Sequence, residues 1–169
     1  MTQELSFVYD YGQVYLYDAA AAASVDFVAA LDDAGRTGMS VGVAGPLVDL
    51  LLPLQWNFSA RLLLETLEGE PPPDLDEWEH MVEFVLQLPS GRLLLEGSGG
   101  SGQLEIGLPP GIYHARWAGR GFPPPGVRAR RVIGGHLSPA VVDRPLRSAI
   151  PRAEAVARLR RPGRLIPPF

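Results

Sequence analysis

The sequence contains no cysteine and no lysine. Without thiols there is no disulfide framework, no thiol nucleophile and no cysteine-ligated zinc or iron–sulfur centre. That absence fits a reducing cytoplasm. All fifteen basic residues are arginine; with abundant Ala, Gly, Pro and Leu, this points to the codon bias of a GC-rich bacterial genome rather than to selection for bidentate recognition. Long apolar runs are missing too. The most apolar stretch, Pro46 to Leu54, carries Asp49 and is far shorter than the roughly 20 residues of a membrane-spanning helix. Met1 to Tyr9 shows no basic region followed by an apolar run, so no targeting segment is expected there. A soluble, cytoplasmic protein is the expectation.

Catalytic signatures are also lacking. There is no Gly-x-Ser-x-Gly elbow and no His-Glu-x-x-His pattern, and His80, His114 and His136 stand apart from any nucleophile motif. The run Gly97 to Gly102 is only Gly and Ser. It has no P-loop lysine and joins two strand-like segments, so it reads as a flexible hairpin loop. Carboxylates such as Glu65 and Glu83 would serve acid–base hydrolysis only if the fold set them across a cleft. No motif asks for a cofactor, and the chain is expected not to be an enzyme.

What is present belongs to one ordinary β-rich domain. The 169 residues are 46% hydrophobic and 20% charged, a globular composition with enough length for a core. Leu5 to Tyr9 and Val14 to Tyr17 are strand-like and flank Asp10-Tyr11-Gly12-Gln13, which reads as a hairpin turn. Ser24 is placed to cap a short helix in which Val25, Val28 and Leu31 share a face and Gly35 ends the element. Short strands follow: Met39 to Ala44, Leu47 to Leu52 and Arg61 to Leu67. In Met81 to Leu88, Val82, Phe84, Leu86 and Leu88 alternate with polar Glu83 and Gln87. Pro89-Ser90-Gly91 reads as a hairpin turn into Arg92 to Glu96. Leu104, Ile106 and Leu108 alternate next, then Tyr113, Ala115 and Trp117 after Pro109-Pro110-Gly111. This spacing predicts a mainly β fold, an antiparallel β-sandwich with one or two short helices. Residues 1–134 are expected to form it. Val127 to Ile133 reads as one more strand. Residues 135–169 read as a Pro/Arg-rich arm rather than a second domain, with a short helix opening at Pro151 and Arg158, Arg160 and Arg161 near its end.

Charge is segregated along the chain. Residues 1–110 hold three Arg and seventeen acids, whereas residues 111–169 hold twelve Arg and two acids; the net charge of −4 hides this. Either the halves meet in the fold, or each presents a surface to a partner. The acidic candidates for partner binding are Glu68, Glu70, Asp74, Asp76, Glu77 and Glu79 around Trp78, where carboxylates would steer association and the indole would anchor it. Trp78 covering the end of the core is the equal alternative. The cluster lacks the spacing of a calcium loop, and no metal site is assigned. Arg128, Arg130, Arg131, Arg158, Arg160 and Arg161 are the candidate nucleic-acid contacts. Against them stands a simpler role, neutralisation of the acidic body by the arm.

Glu4-Leu5-Ser6 through Tyr9 followed by Val14 to Tyr17, and Leu108-Pro109-Pro110-Gly111-Ile112-Tyr113-His114-Ala115-Arg116, resemble the opening and the late strand of the competence-J family of bacterial nuclease inhibitors and its relatives. The resemblance covers about residues 4–117. It implies a small β-rich protein with an inhibitory or immunity-like role against a secreted or membrane-associated nuclease. The chain departs from that pattern after Trp117, where the Pro/Arg-rich arm stands in place of a short final strand. The sequence thus points first to a non-catalytic protein that binds a protein partner, with a nuclease the family's example. Nucleic-acid binding by the arm, and a hydrolase or small-ligand module, stay open.

Overall fold

The computed structural model describes residues 1–9, 11–52, 58–69, 75–100, 102–121 and 154–161. These build two five-stranded sheets packed face to face. The first has the order β1 (Thr2–Tyr9), β5 (Phe58–Leu67), β10 (Glu154–Arg160), β9 (Gly111–Arg120), β6 (His80–Leu88). The second runs β3 (Val41–Ala44), β4 (Leu47–Leu51), β2 (Gln13–Asp18), β7 (Arg92–Gly97), β8 (Gln103–Gly107). Every neighbouring pair is antiparallel except β5 with β10. Alternation sends Phe7, Leu62, Leu64, Leu86, Tyr113, Trp117 and Leu159 of the first sheet against Val14, Leu16, Leu50, Leu93 and Ile106 of the second, so the mainly β sandwich is as expected. Among the described residues no helix is long and apolar enough to cross a membrane.

Two turns do different work from the one expected. Asp10 lies outside the described residues, and the strands on either side of it form no hairpin: β1 pairs with β5 in the first sheet and β2 with β4 and β7 in the second. Likewise Pro89 to Gly91 carries the chain from β6 in the first sheet to β7 in the second. Each turn is a corner between layers, so the flanking strands bury their apolar residues against each other instead of pairing. Gly91 makes the second corner possible. Its φ is +73°, and a Cβ there would lie 2.4 Å from the Leu108 carbonyl oxygen. Asp18 secures it, accepting from Ser90 N at 2.9 Å, Ser90 Oγ at 2.6 Å and Ala20 N at 2.8 Å. Gly97 to Gly102 does join a true β7–β8 hairpin.

The helix is also shifted. A separate 3-10 turn, Ala19–Ser24, is capped by Asp18, and α1 (Phe27–Thr37) is capped by Asp26 and ends on left-handed Gly38, not on Ser24 and Gly35. Its buried residues are Ala30 and Ala34, while Val28 and Leu31 are exposed. Gly42 explains this, since a Cβ there would fall 1.8 Å from the Ala30 carbonyl oxygen. The helix lies almost on the backbone of β3, and only small side chains fit between them. With Tyr15, Tyr17, Leu47 and Leu94 it forms a second core on the outer face of the second sheet.

The largest departure is at the C-terminal end. Residues 154–160 form no helix. They are β10, the central strand of the first sheet, parallel to β5 and antiparallel to β9. A final strand after Trp117 is therefore present. Val127 to Ile133 lies outside the described residues.

Candidate partner-binding face

The 3-10 turn and α1 cover the second sheet. Among the described residues, the 3-10 turn Leu75–Glu77 and Trp78 lie at the outer face of the first sheet, where Val156 and Ala118 are buried. Strand register sets that outer face in rows. One row reads Glu65 (β5), Arg158 (β10), Arg116 (β9), Glu83 (β6). Arg158 Nε donates to Glu65 Oε2 at 2.8 Å, and Arg116 Nε donates to Glu83 Oε1 at 2.8 Å. The next row is apolar: Leu63, Val156, Ala118 and Met81, opposite Glu4 on β1. Beyond it stand Arg61 on β5 and Arg120 on β9. Arg61 makes a two-pronged bond to Glu4, Nε to Oε1 at 2.8 Å and Nη2 to Oε2 at 2.9 Å, and this holds the Glu4 carboxyl below its ordinary range.

Trp78 stands at the corner of this second charged row. The Arg120 guanidinium lies 4.8 Å over its ring, and Arg120 Nη1 is 3.9 Å from Glu77 Oε2. Trp78 belongs to neither core cluster. It is a wall of a cleft of about 220 Å³ that has Leu63 and Val156 as floor and Arg61, Arg120, Arg158 and Glu77 around it. A cation over an indole face is attractive, so the pair is held in place while its edges remain accessible.

Of the acidic candidates, Asp76, Glu77 and Glu79 are exposed at this corner with the half-buried Trp78. Glu68 is not with them. It lines a separate cavity with Met1, Leu67, Pro109, Tyr113 and Arg161, at the Leu67 end of β5, roughly 20 Å from Arg61 at the strand rise of about 3.3 Å per residue. Glu70 and Asp74 lie outside the described residues. Among the arginines, Arg158 is buried in its pair with Glu65. Arg161 stacks on Tyr113 at 5.6 Å and donates to the Pro110 carbonyl. Arg160 faces the open side of the sheet. Arg128, Arg130, Arg131 and His136 lie outside the described residues. Glu65 and Glu83 do not converge: β10 and β9 separate them, roughly 14 Å at three strand spacings, and each holds an arginine.

Residues that sequence reasoning did not assign to a partner surface are Arg61, Arg116, Arg120 and Glu4. Their signal was the period-2 placement of Arg116 and Arg120 opposite core Tyr113, Ala115 and Trp117 on one strand. The segregated charge is resolved here: Arg116, Arg120 and Arg158 from the basic half pair with Glu83, Glu77 and Glu65 from the acidic half.

No protein-family model matches the sequence, and no curated protein is significantly similar to it. Solved structures share its fold. One is ComJ, inhibitor of the DNA degrading activity of NucA, from Bacillus subtilis, with a TM-score of 0.57 at 15% identity over 95% of each chain. Another is the crocagin biosynthetic gene J product, with a TM-score of 0.53 at 16% identity over 95% of this chain and 97% of that one. The likeness suggested by the opening strands and by Leu108 to Arg116 thus extends over the whole fold.

Proposed function

We propose that this chain is a non-catalytic protein that binds and inhibits a nuclease, docking through the outer face of its first sheet at the corner formed by Trp78, Arg120 and Glu77. The observation that carries the reading is the Trp78–Arg120 stack beside an apolar-floored cleft, on the sheet opposite the one that α1 packs against. Trp and Arg are the side chains that most often dominate interface energetics, and they do so beside pockets that exclude water. The shared fold with an inhibitor of DNA degradation supports a nuclease as the partner class. Asp76, Glu77 and Glu79 would meet the basic surface of such an enzyme. The surface is thus mixed, with carboxylates at the rim and an aromatic–arginine anchor inside. Direct nucleic-acid binding is the weaker reading, because Arg158 is buried against Glu65 and the chain is net negative.

The test is a DNA-degradation assay with nuclease-active extract of the cells that make the protein. Adding purified protein should abolish part of the activity in a saturable way. Trp78→Ala should need about ten-fold more protein for the same effect, with an unchanged circular dichroism spectrum. Activity that is flat across the titration would overturn the nuclease assignment.

A further inference from the structure

By sequence, Glu68 and Arg161 are candidates for different partners, yet they line one cavity of about 450 Å³ at the Leu67 end of β5. Among the described residues, Met1, Leu67, Pro109 and Tyr113 supply its apolar wall. The neighbours of Arg161 fix it in place. Its guanidinium stacks on Tyr113 at 5.6 Å, donates to the Pro110 carbonyl and lies over Gly111, where a Cβ would fall 3.3 Å from Nε. Tyr113 is itself held, with its ring buried and its hydroxyl donating to the Pro109 carbonyl. None of these partners is a carboxylate, so they orient the Arg161 charge without neutralising it. Glu68 is exposed, and among the described residues it pairs neither with Arg161 nor with another base. The Met1 ammonium donates instead to the Thr66 carbonyl, at 3.0 Å. One cavity thus holds a fixed positive charge, a negative charge and an apolar wall.

The structure assigns this cavity as a binding site for a small zwitterion with an apolar body, of the class of the free α-amino acids with large apolar side chains. Arginine carries several N–H donors and Pro110 uses one, which leaves others for the two oxygens of a carboxylate. An ammonium group answers Glu68, and the side chain covers Leu67 and Pro109. A plain anion would face Glu68 and a plain cation would face Arg161, each an unfavourable approach of like charges. The volume and the apolar wall with a few placed polar groups are those of a small-molecule site. The cavity lies at the far end of β5 from the Trp78 corner, so the assignment does not depend on the nuclease reading.

Isothermal titration of the intact protein with L-phenylalanine tests it, beside phenylpropanoate, which keeps the carboxylate alone, and phenethylamine, which keeps the ammonium alone. Saturable binding of phenylalanine is expected, about ten-fold tighter than that of either analogue. Arg161→Gln and Glu68→Gln should each weaken it about ten-fold. Glu68→Gln should also tighten phenylpropanoate, because it removes the like charge facing that ligand. Arg92→Gln, whose guanidinium is on the other sheet with Glu105, should change neither. Should Arg161→Gln fail to fold, Glu68→Gln carries the comparison. No saturable heat with phenylalanine, equal affinity for either analogue, or affinities unaltered in the folded variants would overturn the assignment.

Discussion

Asp18 and Asp49 are both fully buried, yet their surroundings set them to opposite effect. Burial alone would raise the Asp18 carboxyl. Hydrogen bonds from Ser90 Oγ, Ala20 N and Ser90 N, with the nearby Arg92 charge, outweigh that and hold it below 3.8. Among the described residues Asp49 receives one hydrogen bond, from Gln13 Nε2 at 3.2 Å, and its Oδ1 has no partner. Burial pushes it up to about 6. The linkage signs follow. Asp18 contributes stability that is present above 3.8 and lost as pH falls through its lowered folded value. Asp49 favours the fold when protonated, fully so below 3.8, and that contribution is lost as pH rises to about 6. Urea unfolding from pH 3.5 to 8 separates them. Asp49→Asn should stabilise at pH 8, by on the order of 3 kcal/mol at 1.36 kcal/mol per pKa unit, and much less at pH 4. Asp18→Asn should destabilise at pH 7 by about 2 kcal/mol, through donors left facing an amide. Stability profiles parallel to that of the unsubstituted protein would contradict both.

At the scale of elements, β10 decides whether the first sheet exists. It pairs along seven residues with β5 on one side and β9 on the other, and contributes Ala155, Ala157 and Leu159 to the core. A chain ending at residue 150 should lose cooperative unfolding altogether, because the missing ladders and core exceed the 5–15 kcal/mol of net stability usual for a domain. A synthetic peptide of residues 150–169 should restore a near-ultraviolet dichroism signal; a truncated chain that melts cooperatively by itself would refute this. The period-2 pattern of β10 was in the sequence, with Ala155, Ala157 and Leu159 alternating with Val156, Arg158 and Arg160. Pro151 and the terminal arginines also fitted a capped helix, and only pairing with β5, some ninety residues earlier, selects the strand. The same limit explains the two corners. Alternation in β6 correctly gave Val82, Leu86 and Leu88 as inward, but it names a strand's buried face and not its layer. Ala30 and Ala34 as the packed face of α1 depend on Gly42, which lies on another element. The Trp78 corner was half legible. Its acids and indole are contiguous in sequence, whereas Arg61 and Arg120 reach them only through long-range register.

For the whole molecule, folding converts a chain with opposite ends of opposite charge into one sheet face on which both signs interleave. Exposed pairs such as Arg61–Glu4 add little stability, about 0–1 kcal/mol each, so the arrangement matters more for recognition than for holding the sandwich together. The side chains at the Trp78 corner divide by depth. Asp76 and Glu79 are exposed at its rim, where charges act on a partner at a distance and are screened by salt. Trp78 and Arg120 line the cleft, where their contribution requires contact. The two groups should therefore separate in the kinetics of a captured nuclease. Trp78→Ala should raise the dissociation rate about ten- to hundred-fold while leaving the association rate within about three-fold. Asp76→Asn with Glu79→Gln should lower the association rate and flatten its dependence on ionic strength, with dissociation little changed. Surface plasmon resonance from 50 to 500 mM salt reads both quantities. If Trp78→Ala leaves dissociation untouched while the acidic pair still alters association, the rim steers a partner that docks elsewhere, and the cleft is not the interface.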